Sequence, residues 1–575
     1  MKNIPYLLRA SLIVSLLLMV TSCKKDFLES APYALEDAQK FYKTTEQCKG
    51  AVMQAYNRTV HLGPIYLFIR HGLNEYAGDD LLRTYRDDFT VWHNFSPDNV
   101  QFLWGWKYCF QGIYLCNYTL NQLQTAPIPQ TDKDVLVAEC KSIRAFMYYM
   151  VATRWGSTPI ITTVLSADEY YKVPFSSATD VYAQVIKDFK EAIPALPKSW
   201  GNEDKGRFSQ AAAKHMLAKT YMQLAGYPIN KTENWQKAVD ILAEFVPQAK
   251  RGEYNLDLLP NYGDVYAKSH DQDKESVFEV NEMYLPEGKD ISLEVGAPGN
   301  FLQAFIQPDE YEGFGGRDCF TADFLDEFEK DEDGKVIDKR YTYTVLEPGD
   351  VFYVTMAGDT CLHNSLGRLT IKNVKVDKAT NTLTYDIKND SNKPYDGWTW
   401  VGKNNESYPN YKYLRNAKER TGLLNNAGLF GEDLNIKYLR FADAILCYAE
   451  ALNEVGRSAE AVNYVNELRS RANNTVSLDS KRIYQKTLIT GTLPLVDAGL
   501  GQSAMRNAIR HEWRVELGGE DWRYENIRRW GIAEERLHIM ATKSLKKGPA
   551  DNDAIKYQKG TWDYFPIPSN EYKLK

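Results

Sequence analysis

The stretch Lys437–Asn473 constrains the fold of this chain more than any other, because it predicts two amphipathic helices joined by a short turn. From Tyr438 onward, apolar residues recur at steps of three and four, as on one face of a helix. Gly456 is predicted to end the first helix, and Ser458 to cap the second. Helices joined so closely lie antiparallel. Because a lone hairpin leaves its outer sides uncovered, it needs neighbours of the same design, as tetratricopeptide-type repeats do.

More helices are predicted before the centre of the chain, each from apolar periodicity and from start or stop residues. Their approximate limits are Thr44–Val60, Phe102–Leu123, Val135–Trp155, Asp180–Ile193, Ser209–Gly226 and Trp235–Val246. The first opens with a capping box formed by Thr44 and Gln47. Helical periodicity returns at Lys437 and again over Ser503–Ile532. Helix-rich parts therefore flank a central part of different character.

The central part, roughly residues 251–431, has many turn residues that separate short β-type runs such as Tyr341–Val345 and Val351–Thr355. A loop-rich stretch of this length usually carries function. We therefore predict a mainly α fold, with tetratricopeptide-like helical hairpins as scaffold and a loop-rich, partly β insertion that carries the ligand face. Residues 23–575 would form one domain, with helical parts up to residue 250 and from residue 432.

The N-terminus has the features of a processing segment. Positive charge on Lys2 and Arg9 precedes the apolar run Leu12–Val20, and small residues then lead to Cys23. This order resembles a bacterial lipobox, so we predict a signal peptide over residues 1–22 and acylation of Cys23. Acyl chains there would anchor the protein without a membrane-spanning helix. An ordinary secretory signal with an incidental cysteine is the alternative.

Charge and cysteine usage argue against several protein classes. The net charge of −7 gives no basic footprint for nucleic acid. Eight cysteines less Cys23 leave seven, an odd and scattered set without a C-x-x-C pair, which does not indicate a disulfide or metal framework. We expect Cys109, Cys116 and Cys447 to be small buried hydrophobes. The 12 Trp, 38 Tyr and 23 Phe are unusual, although core packing is the default role of any one ring.

Six motifs, in order along the chain, are similar to those of the SusD/RagB family of surface lipoproteins from Bacteroidetes-type bacteria. They are CKKDFLE from Cys23, IRAFMYY from Ile143 with WGSTP from Trp155, AAAKHMLAKTY from Ala211, VNELRSRA from Val465, RHEWRVEL from Arg510 with the following DWR and IRRWG, and FPIP from Phe565. Trp513 departs from the family pattern, which more often has arginine at that position.

The resemblance implies a mostly helical fold with tetratricopeptide-like hairpins and a loop-rich ligand face. It also implies a binding protein rather than an enzyme. Such proteins sit at the outer surface as the lid of a TonB-dependent transporter of the SusC type and capture glycans for import.

Glycans are bound by stacking of their C–H faces on aromatic rings and by hydrogen bonds to their hydroxyls. Three stretches outside the helical stripes mix aromatics with Asn, Asp or Arg: residues 79–99, 284–317 and 395–400. The candidate ligand-binding residues are Arg83, Tyr85, Trp92, Asn94, Tyr284, Tyr311, Phe314, Trp398 and Trp400. The stretch around Trp92 ranks highest, because the resemblance also places ligand contacts there. A cross-strand core pair is the alternative for Trp398 and Trp400.

No enzymatic motif stands out. A glycosidase needs two carboxylates across the scissile bond, and nothing among the 76 acidic residues selects a pair. Glu329–Gly334 resembles part of a calcium loop but has Arg340 where an acidic ligand is needed, so we expect a solvated turn. The arginines of Arg510–Arg529 alternate with carboxylates, which predicts ion pairs on helix surfaces. We predict no catalytic residue, metal or cofactor.

The expected function is capture of an oligosaccharide by a lipid-anchored protein at the outer membrane surface, followed by transfer to the partner transporter. Two alternatives stay open. The same scaffold would also serve to capture peptide or another nutrient, and a surface glycoside hydrolase is the third reading.

Overall fold

The computed structural model describes residues 41–61, 73–83, 95–281, 318–346, 351–356, 359–364, 367–377, 382–388, 415–416, 435–477, 482–484, 488–544 and 557–573. For the strands from 351 to 388, and for 415–416 and 482–484, it describes the backbone alone.

Helices form most of the described chain, which confirms the predicted mainly α class. In order they are α1 (Thr45–His61), α2 (Val100–Leu123), α3 (Gln130–Trp155), α4 (Ala167–Tyr170), α5 (Ala178–Ala192), α6 (Gln210–Ala225), α7 (Asn234–Lys250), α8 (Ala322–Glu327), α9 (Arg340–Thr344), α10 (Phe441–Glu454), α11 (Ser458–Asn474), α12 (Gln502–Leu517), α13 (Arg523–Arg529), α14 (Ala533–Ser544) and α15 (Ser569–Lys573).

The strands are mostly short. They are β1 (Leu81–Arg83), β2 (Thr158–Pro159), β3 (Phe175–Ser176), β4 (Ser276–Val280), β5 (Asp318–Phe320), β6 (Val345–Leu346), β7 (Val351–Met356), β8 (Asp359–Asn364), β9 (Gly367–Asp377), β10 (Thr382–Lys388), β11 (Arg415–Asn416), β12 (Ile436–Arg440) and β13 (Arg482–Tyr484). The largest described sheet has the order β10-β9-β8-β7-β13 and is antiparallel throughout.

Neighbouring helices build the scaffold by packing one on the next. α1 packs on α2, α2 on α3, α3 on α5, and α5 on α6. The series continues from α6 to α7 and from α7 to α10, which packs against both α11 and α12. Every residue of α10 from Phe441 to Asn453 is buried, because the helix has neighbours on all sides. Stacked hairpins of this kind bury one continuous core, as the sequence predicts.

Local signals set several helix limits where they were predicted. The Thr44 hydroxyl accepts the Gln47 N–H at 3.2 Å, and Gln47 Oε1 accepts the Thr44 N–H at 3.2 Å, which completes the capping box of α1. Ser209 caps α6 by accepting the Ala212 N–H. Gly456 has φ 82°, a left-handed conformation that glycine adopts without steric cost, and it ends α10.

Two details of the α10–α11 hairpin differ from the prediction. Tyr438 lies in β12, and α10 begins only at Phe441, because the backbone of residues 436–440 pairs with β4. Ser458 does not cap α11: the capping position is Arg457, and the Ser458 hydroxyl donates instead to Asn453 Oδ1 at 2.7 Å. The hairpin turn is thus held by a contact back to α10.

The predicted β run Tyr341–Val345 is also wrong in part. Residues 340–344 form α9, and the strand β6 covers only Val345 and Leu346. The preceding Asp338 side chain accepts the backbone N–H of Arg340 at 3.0 Å and so favours a helical turn there. By contrast, the predicted strand Val351–Thr355 is confirmed as β7.

The predicted helical stretch Ser503–Ile532 is broken in two. α12 ends before Gly518, where an added Cβ would lie 2.3 Å from a ring carbon of Phe324. The chain turns through Asp521, which has φ 67°, before α13 begins. Two features therefore interrupt the predicted helix: Gly518, which leaves room for the Phe324 ring, and the left-handed backbone at Asp521.

The two ends of the central part are paired with each other. β4 and β12 are antiparallel, and Val280 lies opposite Ile436. The chain therefore leaves the helical scaffold after β4 and returns to it at the neighbouring strand. About 150 residues are inserted at one point of the scaffold without separating α7 from α10.

The tail docks on the helices. The Phe565 N–H donates to the Arg154 carbonyl at 2.8 Å, and its ring lies 5.5 Å from those of Phe102 and Tyr524. The expected burial of Cys109, Cys116 and Cys447 is confirmed, and all three are free thiols. In the described part of the chain, every helix is too short or too polar to cross a bilayer.

Candidate functional site

Two of the three predicted ligand stretches meet at a strand pair. β1 and β5 are antiparallel, and Arg83 lies opposite Asp318. Residues 84–94 begin directly after Arg83, and residues 282–317 end directly before Asp318. The structure therefore brings the start of the first stretch next to the end of the second.

The strand β11, which begins 15 positions after the end of the third stretch, lies at the same place. β11 contacts β5 and pairs with β6, where Arg415 lies opposite Leu346. Residues 389–414, which include the predicted Trp398 and Trp400, end directly before β11. We call the group β1, β5 and β11 the β5 junction. Two of the predicted stretches adjoin this junction, and β11 follows the third in the chain.

An aromatic cluster holds the other end of the first stretch. The Phe95 ring lies edge-on to Phe102 at 5.7 Å, to Trp562 at 5.7 Å and to Phe565 at 5.6 Å. Asn99 then caps α2 by accepting the Gln101 N–H at 2.8 Å. Residues 84–94 are thus held at Arg83 by a strand and at Phe95 by the docked tail.

Charged side chains are buried directly behind the β5 junction. Arg514 of α12 donates to Asp80 at 2.8 Å, and Arg523 of α13 makes a two-point contact with Asp79, at 2.6 and 2.8 Å. Thr321, next to β5, donates its hydroxyl to the Asp79 carbonyl at 2.7 Å. The residues just before β1 and just after β5 are therefore tied together and to the C-terminal helices.

These contacts belong to a larger set of buried and half-buried ions centred on α12. Arg340 has no exposed surface and pairs with Asp338 at 2.7 Å, with Glu516 at 3.1 Å and with Glu512. We call the connected set the buried charge network. Its members are Asp79, Asp80, Glu275, Asp323, Glu327, Glu329, Asp338, Arg340, Arg440, Arg469, Arg471, His511, Glu512, Arg514, Glu516, Glu520, Arg523 and Arg536.

The network corrects one expectation. Within Arg510–Arg529, Arg514, Arg523 and Arg529 do form ion pairs, but these lie in the interior rather than on helix surfaces. α12 is enclosed because it packs on α8, α9, α10 and α11. A helix with carboxylates and guanidiniums on several faces can be buried only when each charge has a partner.

Electrostatics favour the charged forms of Asp79 and His511, whereas burial raises the pKa of Asp80. Burial opposes the charge on Asp79, but the guanidiniums of Arg523 and Arg514 outweigh it and hold the pKa of Asp79 well below its usual range. Burial also opposes the charge on His511, but hydrogen bonds to Glu327 and Glu329 raise its pKa to about 9. Carboxylates held ionised by guanidiniums are suited to structure rather than to acid catalysis.

The predicted ligand residues themselves fall almost entirely outside the described residues. Arg83 is the last residue of β1, and only its backbone is described. The others, and the predicted lipidation site, lie outside: Cys23, Tyr85, Trp92, Asn94, Tyr284, Tyr311, Phe314, Trp398 and Trp400. Their roles stay predictions, supported by where their stretches are anchored.

The sequence analysis missed an open groove beside α2. Trp104 and Tyr114 of α2 are 37% and 48% exposed, although such rings are usually buried. They line a cavity of about 630 Å³ together with Tyr170 of α4 and Glu571 of α15. The sequence did contain a signal for this groove. Trp104 and Tyr114 place aromatic rings on a second face of a helix whose apolar stripe lies on the other face.

One polar cluster in the core has the residue types of a metal site. His215 Nε2 lies 3.2 Å from Asp443 Oδ2, and Cys447 Sγ lies 3.8 Å from His215 Nε2. However, Lys219 Nζ is 3.2 Å from both oxygens of Asp443, so an ammonium already neutralises the carboxylate. The cluster is best explained as a buried ion pair between α6 and α10.

The predicted turn is exposed from Lys330 to Gly334, while Glu329 before it is half-buried, and the turn is held by the Asp331 side chain. Asp331 Oδ1 accepts the backbone N–H groups of Asp333 at 3.0 Å and Lys335 at 2.8 Å. That hydrogen bonding confirms the solvated turn that the sequence predicts.

Comparison with known proteins decides the family. The model of the SusD family matches residues 268–575, more than half of the chain. The chain belongs to the SusD family. A second family model, described as starch-binding and associating with the outer membrane, matches residues 28–222.

Curated relatives in this family align over nearly the full chain. SusD-like protein P25 of Formosa agariphila is 24% identical over 538 residues, which cover 90% of this chain and 89% of that protein. SusD-like protein P2 of the same organism is 24% identical over 553 residues, with 91% and 90% covered.

Solved structures show the same fold. A SusD homologue from Bacteroides thetaiotaomicron has a TM-score of 0.69 at 22% identity and covers 95% of this chain and 98% of its own. A laminarin-binding SusD-like protein has a TM-score of 0.64 at 19% identity, with 93% and 98% covered. Surface glycan-binding protein A from Bacteroides thetaiotaomicron has a TM-score of 0.63 at 19% identity, again with 93% and 98% covered.

Proposed function

We propose that this SusD-family chain captures an oligosaccharide at the surface of the outer membrane and passes it to a TonB-dependent transporter of the SusC type. The observation that carries the proposal is the meeting of two aromatic-rich stretches at the β5 junction of a SusD fold, where β11 also lies. Loops held on a rigid scaffold are the usual place for binding residues.

The comparisons support a carbohydrate as ligand. One fold relative binds laminarin, another is a surface glycan-binding protein, and the family model for residues 28–222 is described as starch-binding. The candidate residues fit such a ligand, because Trp92 and Tyr311 offer stacking surfaces and Arg83 and Asn94 offer hydrogen bonds.

We propose capture without cleavage. Directly behind the β5 junction, the carboxylates of Asp79 and Asp80 are buried and paired with Arg514 or Arg523. Neither is placed to donate a proton to a glycosidic oxygen from solvent. Incubation of the pure protein with the glycans it binds should therefore release no reducing sugar.

The membrane arrangement is part of the same proposal. Cys23 would carry the lipid anchor, and the transporter would take the ligand from the loop face. Metabolic labelling with an alkyne fatty acid should mark the wild-type chain and not Cys23→Ala. Affinity purification of the wild-type chain from outer membranes should recover a TonB-dependent transporter; recovery of the chain alone would contradict this part.

The binding test is affinity electrophoresis and calorimetry against a panel of neutral and acidic glycans. We expect Trp92→Ala to weaken binding by about 1–3 kcal/mol, by analogy with loss of a stacking ring in base recognition. Phe41→Ala is the control, since Phe41 is an aromatic that is 42% exposed and belongs to none of the candidate stretches. Equal affinities in both variants and wild type would remove Trp92 from the site.

A further inference from the structure

The outward face of α2 carries two rings with two polar side chains between them. Val100, Trp104, Lys107, Gln111 and Tyr114 follow one another at steps of four, three, four and three, so they lie on one side of the helix. Val100 is 49% exposed, and Trp104, Lys107 and Tyr114 are exposed as well. The rest of the helix packs on α1 and α3.

The face forms one side of a groove that other elements complete. Arg58 comes from α1, Tyr170 from α4, and Asn570 and Glu571 from α15. Its volume of about 630 Å³ is within the range of small-ligand sites. The wall is preformed, because the Tyr170 hydroxyl donates to Glu571 at 3.0 Å and α15 begins where Ser569 N–H donates to the Pro97 carbonyl at 2.8 Å.

The order of residues along the face selects the kind of ligand. A partner helix or a lipid surface would need a continuous apolar stripe, whereas Lys107 and Gln111 lie between Trp104 and Tyr114. A sugar chain fits two rings with polar groups between them, since each sugar ring offers a C–H face for stacking and hydroxyls for amide and ammonium groups. Asn570 adds another amide to the lining.

The charged side chains of the groove indicate which class of sugar it would bind. Arg58 and Lys107 bring two positive charges to the groove of a chain with net charge −7. Among the described residues, no carboxylate lies within ion-pair distance of either, and Arg58 instead lies 5.9 Å from the Tyr108 ring. Glu571, which also lines the groove, already accepts the Tyr170 hydroxyl. The lining therefore has an excess of positive charge.

We propose that this α2 groove is a carbohydrate-binding subsite that takes an acidic oligosaccharide, one bearing carboxylate or sulfate groups. The proposal rests on the proposed function, to which it adds a second contact region and a ligand class. Trp104 and Tyr114 would stack on sugar faces, and Arg58 and Lys107 would bind the acidic groups. None of the lining residues belongs to the three predicted loop stretches.

The test uses the full chain and two double variants. Trp104→Ala with Tyr114→Ala removes the rings, and Arg58→Gln with Lys107→Gln removes the charges. Phe41→Ala and Lys187→Gln, at exposed positions outside the groove, are the matched controls. The probes are oligogalacturonates and a sulfated galactan as acidic glycans, and laminarin and starch oligosaccharides as neutral ones.

We expect each double variant to lose at least tenfold in affinity for an acidic probe, with the melting temperature and the controls unchanged. The loss in the charge variant should shrink at high salt, because exposed charges are screened. The charge variant should bind neutral probes as the wild type does.

The outcomes separate this proposal from the proposed function. If Trp92→Ala loses glycan binding and both groove variants keep it, the groove proposal is wrong and the proposed function stands. If the wild type binds no probe, both are wrong. Binding of phosphatidylglycerol vesicles that is lost in the groove variants, without acidic-glycan binding, would make the groove a lipid contact and would also overturn the proposal.

Discussion

The helical hairpins and the base of the β5 junction are held together in opposite ways. In α10, apolar side chains such as Ile445 and Leu452 are completely buried against neighbouring helices. Behind the junction, buried contacts are largely ionic, and Arg514 alone faces four carboxylates. Apolar packing tolerates small changes of shape, whereas a buried charge depends on each partner.

The difference suits the two roles. Directional, short contacts tie the residues beside β1 and β5 to α12 and α13 and so fix where the chain enters the first loop stretch and leaves the second. The hairpins need only to be stable and close-packed. We therefore expect single substitutions to affect the two regions very differently.

The largest effect is expected for Arg514→Met. The change leaves the Asp79 and Asp80 carboxylates buried with fewer partners, and breaking such contacts typically costs about 3–5 kcal/mol. Denaturant unfolding measures the loss. Arg457→Met is the matched control, because Arg457 pairs with the exposed Glu460 and such pairs contribute at most about 1 kcal/mol. Similar losses in both variants would contradict the contrast between the regions.

The pH dependence should show a smaller effect. Burial lowers the pKa of His511, but its carboxylate partners outweigh burial and raise the pKa from 6.5 to about 9. Its contribution is therefore fully present below pH 6.5 and is lost as the pH rises through 9, by up to about 3 kcal/mol. Between pH 6 and 10, the melting temperature should fall more steeply for the wild type than for His511→Gln. Parallel curves would contradict this role of His511.

At acidic pH, Glu329 should make the protein less stable as the pH falls, the opposite direction to the effect of His511. Hydrogen bonds from His511 and Arg469 outweigh burial and lower the pKa of Glu329 from 4.5 to about 2. Its contribution is present above pH 4.5 and is lost as the pH falls towards 2. Glu329→Gln should therefore reduce the slope of stability between those pH values, and an unchanged slope would count against the pairing.

The smallest effect is expected in the hairpins. Ile445→Val removes one buried methylene from α10, which typically costs about 0.5–1.5 kcal/mol. Glycan affinity should not change, because the substitution is remote from both the junction and the α2 groove. A loss of affinity larger than the loss of stability would show that the two regions are coupled more closely than their contacts suggest.

Much of the fold followed from local sequence signals. The capping box at Thr44 and Gln47, the cap at Ser209 and the stop at Gly456 act within a few residues, so they can be recognised without the structure. Tyr438 was misassigned because its helix-like spacing is overridden by the pairing of β12 with β4, a contact across the whole insertion. Gly518 ends α12 because of Phe324, which is equally remote in sequence.

The site was predictable only in outline. Composition indicated three aromatic-rich stretches, but nothing local shows that Arg83, Asp318 and Arg415 meet at one junction. The buried charge network was mistaken for surface ion pairs, since alternating charges look the same on an exposed helix and on an enclosed one. The α2 groove was missed because Trp104 and Tyr114 lie on a helix whose other face is core.

The most direct test of the account is a crystal structure of the chain with the oligosaccharide that it binds best. The account predicts sugar rings against the stretches anchored at the β5 junction, with Trp92 in stacking contact, and acidic sugars in the α2 groove as well. Sugar bound elsewhere, with both regions empty, would contradict it.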